Sequence, residues 1–235
     1  ASLFQLQYYS QFCIVLEEVE ALSKNELIVK DLNSEILIFK FLYISKINKH
    51  FMEGQFEKGI ELIPEILEKL KQYEGKIDPE RVLMFYYKFA SLYFGNDNYR
   101  KTIFYLNQIV YFKDVKLRED IHCFARILNL IAHFEDGQDF QLEYQIKSTF
   151  QFIGKMNDQQ AVQREIIQFL RKTGKIKPDE LKGEFIKLYD RLFLLNDDLY
   201  ERRPFLYLDI LSYLKSRIDN KPVQEVVRDK FKMLK

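Results

Sequence analysis

The chain has 235 residues, 47% of them hydrophobic and 30% charged, with a formal net charge of +1. That is apolar mass for a sizeable core, with no overall field of either sign to draw nucleic acid or an anionic membrane. Only 8 Gly and 5 Pro argue against an all-β fold, and 21 Phe with 15 Tyr suit helix-on-helix packing through rings.

Apolar residues recurring at spacings of three and four predict helices throughout. The first runs from Leu3 to Leu22, with Leu6, Phe12, Cys13, Leu16 and Val19 inward. Asn33-Ser34 supplies a cap for a second helix reaching about Met52. Gly54-Gln55 turns the chain into a helix from Phe56 to about Tyr73, where Pro64 predicts a kink and Gly75 a C-terminal stop. Asp78-Pro79-Glu80-Arg81 combines a carboxylate cap with Pro at the first helical position.

Arg81 to Asp114 then reads as two amphipathic helices joined by Gly95-Asn96-Asp97-Asn98. The first stripe holds Tyr86, Phe89, Ala90 and Tyr93, and the second Tyr99, Thr102, Ile103, Leu106 and Ile109. Tyr86 and Tyr93 are expected in the core, and Tyr99 and Thr102 against a neighbouring helix pair. Further helices are expected over Val115–Asp136, Phe140–Ile153, Asp158–Thr173, Pro178–Leu195, Pro204–Ile218 and Pro222–Leu234. That makes about eleven helices and no strand, an all-α chain of antiparallel neighbours in a single domain.

Aligning the turns exposes a repeat. Gly54-Gln55-Phe56-Glu57-Lys58-Gly59-Ile60 matches Asp97-Asn98-Tyr99-Arg100-Lys101-Thr102-Ile103, with a weaker copy at Gly137-Gln138-Asp139-Phe140. The aromatic residue after each turn falls at 56, 99 and 140, which are spacings of 43 and 41 residues. Fixed spacing in that range is a signature of stacked helix pairs.

These residues resemble the tetratricopeptide repeat (TPR). Tyr86, Phe89, Ala90, Tyr93, Tyr99, Thr102, Leu106 and Ile109 follow its pattern in order, and the match with its weaker copies covers roughly residues 35–155. The first copy departs from it at Lys46 and His50, and the third at Glu143. The period also exceeds the usual ~34 residues. The resemblance implies an α-α superhelix, a TPR-like solenoid of helix hairpins, with residues 158–235 adding hairpins and a C-terminal cap.

It also implies a concave face that binds a peptide or partner helix. Position by position, that face carries Phe41, Ile44, Asn48 and Phe51, then Met84, Tyr87, Ser91 and Phe94, then Ala125, Leu128, Ala132 and Glu135. The alternative for these rings is burial against terminal helices or a second copy of the chain. A family clamp for a partner's terminal carboxylate is matched only at Asn48, since Ile44 and Ala125 stand where Lys belongs. Lys88, Arg126 and Asn129 are candidates for a looser anion contact.

Catalytic and metal motifs are missing from the sequence: there is no HExxH, no phosphate loop and no G-x-S-x-G. Thr173-Gly174-Lys175 lacks the rest of a P-loop, and Asp197-Asp198 reads as a turn. His122 and His133 lie eleven residues apart, ~16 Å along a helix, too far to share a metal. Cys123 reads as a small buried thiol.

The expected function is a non-catalytic interaction scaffold without cofactor or metal, binding an unknown protein or peptide but neither nucleic acid nor membrane. Self-association is left open. The alternative is the sensor domain of a bacterial TPR-containing regulator whose effector domain precedes Ala1. Residues 1–163 carry a net −4 and residues 164–235 a net +5, read as ordinary solvated surface. Two Cys and no secretion-type start suggest the reducing cytoplasm. A chain beginning at Ala with helix at once is expected to be part of a longer protein, with loss of a start Met as the alternative.

Overall fold

The computed structural model describes residue 4 and residues 8–25, 30–113, 118–137, 139–154, 161–173, 176–196 and 209–233. Every regular element among these is helical: α1 (Tyr9–Ser23), α2 (Leu32–Glu53), α3 (Phe56–Glu61), α4 (Ile63–Gln72), α5 (Pro79–Gly95) and α6 (Tyr99–Val110), followed by α7 (Glu119–Glu135), α8 (Asp139–Ile153), α9 (Ala161–Thr173), α10 (Pro178–Asn196), α11 (Ile210–Asp219) and α12 (Val223–Lys232). The expected starts at Leu3, Val115, Asp158 and Pro204, the end at Leu234 and the Asp197-Asp198 turn lie outside the described residues.

Local chemistry sets the boundaries. Gly54 closes α2 in the left-handed region at φ 61°, and Asn98 caps α6 by accepting from the Lys101 amide at 3.1 Å. Pro64 does interrupt its helix. α3 ends at Glu61 and α4 restarts at Ile63, because the proline ring cannot donate to the preceding turn.

Two caps differ from expectation. Asp31, rather than Asn33-Ser34, caps α2, its carboxylate accepting from both the amide and the hydroxyl of Ser34 at 2.8 Å. Asp78 sits at the start of α5, but its carboxylate lies 3.1 Å from Nε of Arg81 and makes no bond to the helix amides. The guanidinium is a full cation within reach, and it outcompetes a partial charge.

Most consecutive helices pack on one another along the chain, most extensively α5 on α6 and α6 on α7. α5 also touches α2, α3 and α7, so it is surrounded. Tyr86 and Tyr93 pack against the core as expected, and the α5 rings expected on the concave face are buried too. Tyr87 and Phe94 are only 2% and 4% exposed, while Tyr86 and Tyr93 are half-buried. A helix with neighbours on several sides buries more than one stripe.

Thr102 is another correction. Its hydroxyl donates to the carbonyls of Ala90, at 3.3 Å, and Asn98, at 3.0 Å, so it faces its own hairpin partner rather than the next pair. Lys46, an exception to the repeat pattern, bonds Glu20 of α1 at 2.8 Å, because α1 covers that side of α2.

The C-terminal end does not trail away from the rest. α10 packs on α11 and α11 on α12, and α12 returns to α2 near the beginning of the chain. Nε of Arg228 donates to the Gly54 carbonyl at 3.0 Å, across 174 positions of sequence. The Phe231 ring meets Tyr9 edge-on with centroids 4.7 Å apart.

A candidate ligand cavity under the C-terminal helices

Where α10, α11 and α12 face α2 and α5, a cavity of about 690 Å³ remains. Its apolar wall includes Phe51, Phe56, Phe94, Leu128, Val227 and Phe231. Three close approaches shape this wall. A methyl group on Gly95 would stand 2.6–2.7 Å from carbons of the Phe56 ring, and one on Gly59 would stand 2.5 Å from Leu92. A methyl group on Gly54 would meet backbone atoms of α12 at 2.8–2.9 Å. Hydrogen in place of a side chain lets α3 approach α5, and α12 approach α2.

Four of the expected concave-face residues meet here: Phe51, Ser91, Phe94 and Leu128 all line the cavity. They come from α2, α5 and α7, the first helices of the three repeat copies. Ser91 turns its hydroxyl inward along its helix, donating to the Tyr87 carbonyl at 2.8 Å. The others lie elsewhere. Phe41 is 49% exposed on the outside with the Lys40 ammonium 4.1 Å from its centroid. Ile44 and Met84 pack half-buried on the core, and Asn48 and Tyr87 are buried.

The three anion candidates do not converge. Lys88 lines the cavity. Arg126 instead donates to the Val110 carbonyl at 3.3 Å and stacks on the Phe152 ring at 4.4 Å. Asn129 donates to the side-chain oxygen of Asn107, also at 3.3 Å. Each of these two is spent on packing between helices.

Lys88 is half-buried between two aromatic faces, its Nζ 5.2 Å from the Phe4 centroid and 5.3 Å from that of Phe51. No ion pair or hydrogen bond to its ammonium occurs among the described residues. Burial without a compensating charge lowers its pKa from the usual 10.5 to about 8.

Sequence reasoning missed the group that locks the cover down. Arg217 of α11 reaches Glu135 of α7 (3.2 Å) and Asp97 of the α5–α6 turn (3.3 Å), and its Nη2 donates to the Tyr99 hydroxyl at 2.7 Å. Tyr99 donates in turn to Asp97 at 2.7 Å, and Tyr213 donates to Glu135. Burial raises the Glu135 carboxyl above its ordinary value, against the pull of the Arg217 guanidinium. Nothing in local spacing pairs positions 135 and 217. The only sequence signal was a lone arginine on an otherwise ordinary amphipathic helix.

Cys123 is fully buried, and burial pushes its thiol up to about 12, which leaves it protonated and unreactive at neutral pH. Among the described residues no three His, Cys, Asp or Glu side chains gather as a metal site, and no helix is long and apolar enough to cross a membrane. No family model, curated protein or solved structure matches the chain.

Proposed function

We propose that the chain is a TPR-like stack of helix pairs serving as a non-catalytic interaction scaffold, which receives a peptide or partner helix in the groove that its own C-terminal helices cover. The observation carrying this reading is the origin of the cavity wall. Phe51, Phe94 and Leu128 come from equivalent helices of three successive repeat copies, yet they line one space. An amphipathic segment already lies across that space, since α12 turns Val223, Val227 and Phe231 inward at spacings of four. The groove therefore has the chemistry that accepts a helical stripe. The free thiols at Cys13 and Cys123 suit the cytoplasm.

Selection of displayed peptides on the whole chain tests the reading. Sequences with an apolar stripe at helical spacing are expected to be enriched and to lose at least tenfold in affinity for Phe51→Ala. If no sequence class is enriched, or if affinity survives in a folded Phe51→Ala protein, the scaffold reading fails.

A further inference from the structure

The charges around the cavity do not balance, and the imbalance sits at one atom. The α10–α12 side presents Lys215, Lys221 and Lys230 with Asp209, Asp219 and Asp229. These are neutralised locally: Lys215 lies 3.3 Å from Asp219 and Lys230 3.3 Å from Asp209, while Lys221 lies 3.6 Å from Glu225 and 4.0 Å from Asp229, which Lys232 also reaches at 3.1 Å. Lys88 on the opposite wall has no such partner among the described residues. The described lining residues therefore sum to one positive charge, placed beside rings rather than in bulk water.

An ammonium held in apolar surroundings is costly unless an anion meets it, and two ring faces recover only part of that cost. The volume lies in the range of small-molecule sites, which are mostly apolar with a few placed polar groups. A single cation beside hydrocarbon matches one negative charge on a hydrocarbon body. A phosphate dianion would be left half-compensated, with no guanidinium fork among the described lining residues to hold it.

We propose that the cavity binds a small apolar monocarboxylate, its carboxylate paired with the Lys88 ammonium and its hydrocarbon body lying against Phe51, Phe94 and Phe231. The site is the covered groove of the preceding reading. The inference rests on that groove being a binding site, but not on its ligand being a protein. Ser91, whose hydroxyl is already committed to the Tyr87 carbonyl, supplies shape rather than a donor for the anion.

Calorimetric titration of the whole chain with dodecanoate, dodecan-1-ol and dodecyltrimethylammonium, below their micellar concentrations, decides the matter. Dodecanoate is expected to bind at least tenfold more tightly than the alcohol, and the quaternary ammonium not to bind. Lys88→Met should abolish the preference for the carboxylate while keeping affinity for the alcohol, and Lys88→Arg should retain the preference. Equal affinities, no binding of any probe, or a preference that persists in Lys88→Met would overturn the proposal. Should Lys88→Met not fold, loss of the preference in Lys88→Arg overturns it as well. Enriched peptides without dodecanoate binding would defeat this inference alone. Dodecanoate binding without enriched peptides would defeat only the scaffold reading.

Discussion

At Gly95 the absence of a side chain is a packing requirement rather than a backbone one, since its φ lies in the ordinary helical range and a ring fills the space beside it. Gly95→Ala would improve helix propensity by about 1 kcal/mol on an exposed surface. Here the new methyl group meets the Phe56 ring at 2.6–2.7 Å, and that ring, 3% exposed, must leave its packed position toward the cavity it lines. Overpacking wins, and a net loss of about 1–3 kcal/mol is expected in urea denaturation. Gly95→Ala with Phe56→Leu should recover part of it. Lys88 makes the opposite prediction. Its folded-state pKa is about 8 against 10.5, so between those values the unfolded chain holds more protons and stability rises with pH. At pH 7 the full charge costs stability. Discounted for the surface that a half-buried group retains, the cost is about 1–2 kcal/mol. Lys88→Met should therefore be more stable than the parent at pH 7 and lose the rise between pH 8 and 10.5, read from denaturation midpoints across that range.

The helices whose ends were readable are those with local punctuation. Gly54, Asn98 and Pro64 act through their own backbone chemistry, so their effects appear where the sequence puts them. Caps that depend on competition were misread. Asp78 has the right residue type and position, but Arg81, three residues on, takes its carboxylate. α11 was legible as a helix and illegible as a lock, because Arg217 acts on Glu135 and Asp97 from a distant part of the chain. Removing Arg217 leaves Glu135, 13% exposed at its side chain, without its cation. Arg217→Met is expected to cost about 2–4 kcal/mol, and a double-mutant cycle with Glu135→Gln should return a coupling of about 1–3 kcal/mol. The pH sign follows from the raised Glu135 value. Its folded state holds a proton longer than the unfolded chain, so this contribution is present at acid pH and is lost as pH climbs through the raised value. Arg217→Met should move that loss to higher pH, and Glu135→Gln should remove it.

Over the whole molecule, the repeat pattern located the groove and not its cover. Aromatic residues at 56, 99 and 140 were enough to place Phe51, Phe94 and Leu128 on one face, because each copy is a local unit. Whether that set faces solvent depends on where α10 to α12 fall, and local periodicity carries no such information. α12 falls on α2, so the two ends of the chain are joined through Gly54–Arg228 and Tyr9–Phe231. In an open stack each helix pair feels only its neighbours, and damage at the last helix stays there. Closure changes that expectation. Phe231→Ala removes a ring that is 9% exposed, at a cost of about 3 kcal/mol. Because the ring rests on Tyr9, amides of α1 should lose hydrogen-exchange protection together with those of α12, although 222 positions separate the two residues. Protection lost in α12 alone would mean that the C-terminal helix rests on the stack without coupling its ends. The covered cavity would then open independently of everything beneath it.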